Sequence, residues 1–151
     1  MDWNKIKKFF YQFFLINDTP HKVAGGAALG IFLGTTPGEG LLATLIFASL
    51  FRLNRLAATA GVLATNMWMT VAVLPLAAGT GAFIFKTNPQ DLINNFHTTY
   101  NLGMKFFLSK IILLDLVLPL ATGFIIVAGI IAMAFYLLIY FSLKYKKVEF
   151  K

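Results

Sequence analysis

Residues 34–55 read GTTPGEGLLATLIFASLFRLNR. An apolar run stops at Thr35-Thr36-Pro37-Gly38-Glu39-Gly40, restarts, and ends on two arginines. As helices, the flanking pieces 23–34 and 41–51 are each about 16–18 Å long. That is roughly half the hydrocarbon thickness of a bilayer, so neither piece crosses alone. Two further apolar segments, 56–85 and 111–143, are long enough to span even when bent. The chain therefore joins two full spans to one segment that is broken partway through the membrane.

Composition supports a bilayer as the solvent. Of 151 residues, 58% are hydrophobic and 13% charged, and 16 are Phe. Soluble domains carry roughly 25% charged residues. The length allows a single membrane domain, 1–151. There are no cysteines, which excludes disulfides and thiolate metal sites. The net charge of +7 points to cytoplasmic loops and anionic lipid rather than to nucleic acid.

The basic residues decide how the broken segment lies. If 23–51 were one kinked span, Arg52 and Arg55 would fall opposite Lys5, Lys7, Lys8 and Lys22, and the C-terminal lysines would also end outside. That breaks the positive-inside bias twice. If 23–51 enters and returns, only Lys86, Lys105 and Lys110 of the 13 basic residues are external. The expectation is an all-α polytopic membrane protein with an N-terminal interfacial helix, one re-entrant helical hairpin and two full spans. Both termini are then cytoplasmic.

The breaking residues fit a hairpin apex. Pro37 cannot continue a helix, and Gly38 and Gly40 allow a tight turn. Non-helical backbone at that depth must be wrapped by protein or line a cavity. Gly26, Gly30 and Gly34, spaced by four, offer a face for close helix approach. Glu39 lies in the first turn after the break. It is either a cap for its own helix, favoured by the dipole, or a buried protonatable group on a polar path. Asn66, about 16 Å beyond Arg55, reaches the same depth, as interhelical glue or as a cavity-lining group. Arg52, Asn54 and Arg55 stand at the mouth. The arginines serve either as positive-inside anchors or as a bidentate phosphate site.

The flanking segments add two surface helices. In residues 1–16, Trp3, Ile6, Phe10 and Phe13 recur at helical spacing, with Lys5 and Lys8 off the stripe. This fits a helix in the membrane interface, or one packed on the protein itself. No cleavage site follows, so the segment does not read as a secretory signal. Residues 88–103 open Asn-Pro-Gln-Asp, a good helix start. Leu92, Phe96 and Tyr100 then give an external amphipathic helix, ended by Gly103. His97 has no partner ligand at helical spacing, and no metal or cofactor motif is present. VLPLAAG at 73–79 echoes VLPLATG at 117–123, in a chain rich enough in these residues for chance to produce it.

The run TPHKVAGGAALGIFLGTTPGEGLLATLIFASLFRLNRLAATAGVLATN resembles the prokaryotic membrane family called domain of unknown function 2062. The matching positions are Pro20, Gly26, Gly30, Phe32, Gly34, Pro37, Gly40, Arg52, Asn54, Arg55 and Asn66. Met67 replaces the proline that usually follows the asparagine. The resemblance implies no settled activity. Relatives fused to glycosyltransferases imply work near lipid-linked sugars. Pro37-Gly38-Glu39 and the following apolar stretch are also similar to the re-entrant hairpin of DedA-type proteins. That likeness implies movement of polyprenyl phosphate lipids.

The functional expectation is a non-enzymatic transporter of an anionic, polyprenyl-phosphate-type lipid. Arg52 and Arg55 attract the head group, with Asn54 between them. The Gly38 and Gly40 amides receive it, Glu39 exchanges a proton, and Asn66 lines the path. The alternatives are a scaffold or homo-oligomer docking a glycosyltransferase, and a small channel.

Overall fold

The computed structural model describes residues 18–37, 40–102 and 113–149. The interfacial helix expected over 1–16 lies outside them, as do Gly38, Glu39 and Gly103. The described residues form helices and short connections, with no strand. Helix α1 is Pro20–Thr35, α2 Gly40–Leu50, α3 Arg55–Phe85 and α4 Pro89–Leu102. A π-helical turn, Leu113–Val117, leads into α5, Leu118–Glu149.

Local chemistry sets these boundaries. Helix α1 begins before the apolar residues do, because Thr19 accepts from the Lys22 amide at 3.3 Å and Pro20 occupies the first turn. Asn88 accepts from the Gln90 amide at 3.0 Å and starts α4 as expected. Pro119 has no amide hydrogen, and its ring crowds the carbonyl four residues back. The backbone there opens into the π turn that contains Asp115. Helix α5 runs past residue 143 through the lysines, which favour a helix C-terminus.

Between the end of α1 and the start of α2 the chain reverses. The Asn54 amide donates to the Lys22 carbonyl at 3.1 Å. The end of α2 has therefore returned to the start of α1, and α3 runs parallel to α1. A Cβ on Gly26 would overlap the Asn54 carbonyl oxygen, one on Gly30 that of Ala58, and one on Gly34 the Thr65 hydroxyl. Gly61 answers from α3, where a Cβ would strike the Ala27 carbonyl. The expected glycine face thus packs backbone to backbone. Between membrane helices such packing supplies stability that burial from water supplies elsewhere.

Helix α5 runs antiparallel to α3. Gly81 abuts Pro119 and Gly123 abuts Ala77, again with no room for a Cβ. Near this crossing Val73, Leu74, Ala77, Ala78, Ala82, Leu116, Leu120 and Phe124 form a core. Leu92 of α4 closes it, with Phe96 packed alongside. Helix α2 lies outermost, burying only Thr44 and Ala48.

The outer surface is apolar. Trp68 and Phe83 are each 87% exposed, and Leu42, Leu50, Ile130 and Leu138 are more than 60% exposed. Two segments are long and apolar enough to cross a membrane, Trp68–Phe85 within α3 and Asp115–Tyr145, which runs from the π turn into α5. Such outward-facing apolar helices identify a membrane protein rather than a buried soluble core.

Candidate functional site

Basic residues gather at one end of the bundle, where α1 begins, α2 passes into α3, and α5 ends. Lys22 pairs with Asp18 at 3.4 Å, and His21 Nδ1 lies 2.8 Å from the Tyr136 hydroxyl. Tyr136 stacks on Tyr140 at 5.8 Å, and Lys144 sits 5.7 Å from the Tyr140 ring centre. At the opposite end, the described residues carry Lys86 and, on α4, His97.

The α2–α3 junction carries both arginines. Phe51 donates to Phe47, Arg52 to Ser49 at 3.2 Å and Leu53 to Ala48 at 2.8 Å. The last two bonds form a Schellman turn, which places Arg52 in the left-handed region at φ 54°. Glycine normally occupies that position, because a side chain there costs about 1 kcal/mol. Arg52 is exposed, with its charge beside the negative end of α2.

Arg55 is the first residue of α3 and is also exposed. A cation at a helix N-terminus opposes the dipole by about 0.3–1 kcal/mol; the first turn of α3 holds no acidic residue, and the carboxylate beside this end is Asp18, bonded to Asn54. Between the arginines, Asn54 is buried and structural. Its Oδ1 accepts from the Ala57 amide at 2.7 Å, and its Nδ2 donates to Asp18 at 2.8 Å. The Ala58 amide goes to the Asn54 carbonyl at 3.0 Å. The Arg55 and Leu56 amides remain at the helix end without an intrahelical acceptor. Two exposed arginines therefore flank a helix N-terminus whose cap is bonded to the Asp18 carboxylate, and arginines and a helix N-terminus are groups that can hold an anion.

The apex forms a second, separate region. Arg55 and Thr65 are ten residues apart on α3, about 15 Å along its axis. Thr70 donates across to the Thr35 carbonyl at 3.0 Å, which caps the open end of α1. Thr35 bonds Ile31 at 2.7 Å, Thr65 bonds Gly61 at 2.9 Å, and Thr44 bonds the Gly40 carbonyl. Thr35 and Thr44 have no solvent exposure. Gly40 starts α2 against Leu33 and Val62. Asn66 lies on α3 between Thr65 and Thr70, at the apex level, and its side chain is outside the described residues. So are Gly38 and Glu39.

The structure thus keeps Arg52, Asn54 and Arg55 at one junction and holds the Asn66 position about 16 Å away along α3, with Gly40 packed on Val62. Sequence reasoning missed the threonine cluster and the capping role of Asn54. The second was available as an Asn immediately before a helical run. Shallow apolar grooves run along α2, at Leu42, Leu45, Ile46, Ser49 and Leu50, and along the end of α5.

Among protein families, the model described as an uncharacterized protein conserved in bacteria (DUF2062) matches residues 4–149. No curated protein and no solved structure matches the chain.

Proposed function

The chain belongs to the bacterial family DUF2062, and from that premise we propose that it moves an anionic, polyprenyl-phosphate-type lipid between the leaflets of the inner membrane. One observation carries the reading. Arg52 and Arg55 occupy adjoining positions that each cost the fold stability, one through a left-handed backbone and one against a helix dipole. Residues held at a cost are candidates for function.

In this reading the basic end faces the cytoplasm, by the positive-inside bias. The segment from α1 to α2 is re-entrant, and α3 and α5 span. Both termini are cytoplasmic, and residues 1–16 lie at the interface. Arg52 and Arg55 grip the phosphate with their planar forks. The lipid tail lies along the apolar groove of α2. Gly38 and Gly40 amides receive the head group at the apex, and Glu39 exchanges a proton there. Asn66 lines the route. The activity is transport, without covalent chemistry. The likeness of the Pro37-Gly38-Glu39 hairpin to DedA-type proteins supports it by analogy.

The test is binding of a polyprenyl phosphate to purified protein in nanodiscs, with insertion checked in parallel. Arg52→Lys and Arg55→Lys should each weaken binding, because lysine keeps the charge but loses the fork. The double alanine should lose more. Wild-type affinity in all three variants would remove the entry site. The better reading would then be a scaffold or homo-oligomer that docks a glycosyltransferase. Glu39→Gln should abolish the pH dependence of lipid movement in vesicles, and unchanged pH dependence would reduce Glu39 to a helix cap.

A further inference from the structure

Helix α1 packs against α5 as well as α3. Because α1 runs parallel to α3 and α5 antiparallel to it, the start of α1 lies beside the second half of α5. A row of four side chains crosses this seam. His21 Nδ1 meets the Tyr136 hydroxyl at 2.8 Å, with the imidazole edge-on to the phenol at 83°. Tyr136 stacks on Tyr140 with 10° between the rings, and the Lys144 ammonium lies 5.7 Å from the Tyr140 ring centre. Positions 136, 140 and 144 are four apart and share one face of α5. His21 thus fixes Tyr136 from the other helix, Tyr136 braces Tyr140, and the Tyr140 ring attracts the Lys144 cation.

The row ends in donors that the protein leaves unused. Among the described residues, neither the Tyr140 hydroxyl nor the Lys144 ammonium has an oxygen partner. Asp18, the carboxylate described at this end, is already bonded to Asn54 and Lys22. A phenol and an ammonium side by side, without a carboxylate, suit an oxyanion from outside the chain. Next to them, Leu137, Leu138 and Phe141 line a shallow apolar groove. It reaches up to about 10 Å deeper than Lys144 along the axis, within the apolar segment that ends at Tyr145. Cation, then tyrosine, then hydrocarbon is the depth order of a membrane lipid. Basic pockets between helices at the cytoplasmic side hold lipid phosphates. We infer that the α1–α5 seam binds one anionic phospholipid, its phosphodiester on Lys144 and Tyr140 and an acyl chain in the groove. This lipid is a fixed part of the bundle. Its site lies on other helices than the α2–α3 junction of Arg52 and Arg55, and it does not rest on the transport reading.

The test is lipid retention by the full chain, released from nanodiscs of equal phosphatidylcholine and phosphatidylglycerol and weighed by native mass spectrometry. The wild type should keep one phosphatidylglycerol in preference to phosphatidylcholine. Lys144→Gln should lower that retention several-fold, and Lys144→Arg, which keeps the charge over the ring, should preserve it. Tyr140→Phe keeps the ring and its stack but loses the hydroxyl. It should lower retention while leaving the thermal midpoint in detergent unchanged, which a purely structural tyrosine would not do. The double variant Arg52→Ala, Arg55→Ala should retain the lipid as the wild type does. Equal retention of the two lipids, retention of neither, or unchanged retention in either Lys144→Gln or Tyr140→Phe would overturn the inference. Loss in the double alanine would also overturn it, by assigning the lipid to the α2–α3 junction. The readout is phosphatidylglycerol rather than a polyprenyl phosphate, so failure here and failure of the transport reading are separable.

Discussion

Arg52 separates the two jobs a residue can do at a turn. Its backbone sits at φ 54°, where glycine is relaxed. Arg52→Gly should therefore hold or raise the thermal midpoint in detergent while weakening polyprenyl phosphate binding several-fold. A loss of stability would mean that the guanidinium mainly holds the turn together. The glycines give an opposite contrast. At Gly30 a Cβ meets the Ala58 carbonyl, whereas at Gly129 nothing lies within 4 Å. Gly30→Ala should cost about 1–3 kcal/mol through overpacking. Gly129→Ala should be neutral or stabilising through helix propensity. Equal unfolding midpoints for the two variants would contradict the packing. The Gly26, Gly30 and Gly34 face was legible because a four-residue spacing maps directly onto one side of a helix. The turns at Arg52 and Lys86 were not. A left-handed helix end is normally marked by glycine, and both of these carry a long cation instead.

At the element scale, α2 is the loosely held part. It buries Thr44 and Ala48 and otherwise presents leucines and phenylalanines to the outside. The turn before it is pinned from α3 by the Thr70 hydroxyl on the Thr35 carbonyl. Thr70→Val keeps the shape and removes that bond. It should cost about 0.6 kcal/mol, the usual size of a side-chain hydrogen bond between membrane helices. Amide exchange should accelerate in 36–44 and stay unchanged in α5. Uniform exchange in both regions would show that the bond does not govern the turn. The break itself was legible from Pro37 and its glycines, and the start of α4 from Asn88-Pro89. The π turn was less so. Pro119 was visible, but whether a proline kinks, ends or opens a helix depends on what packs around it, and here Gly81 fixes it from another helix.

For the whole molecule, the gathering of His21, Lys22, Arg52, Arg55 and Lys144 at one end makes topology measurable. Single cysteines at His21 and Phe51 should react with an impermeant thiol reagent from the same face of inverted vesicles, and one at Thr87 from the other. These sites are exposed, unlike Asn54, whose side chain is bonded on two sides. Reaction of His21 and Phe51 from opposite faces would make the first two helices a crossing rather than a return. Charge counting anticipated this clustering, since it needs only the sequence and a membrane. The parallel pairing of α1 with α3 was not legible, because a glycine face does not say which helix it meets. That pairing carries a consequence for biogenesis. Helix α1 leaves the ribosome with its glycine face ready, yet its partner surface, from Asn54 to Thr65, is synthesised only after α2 has been made and turned back. The nascent chain must therefore hold an unpaired helix beside the insertion machinery and wait. An arrest-peptide force profile should register a pull when the first half of α3 emerges, and Gly30→Ala should weaken it without changing the pull at α5.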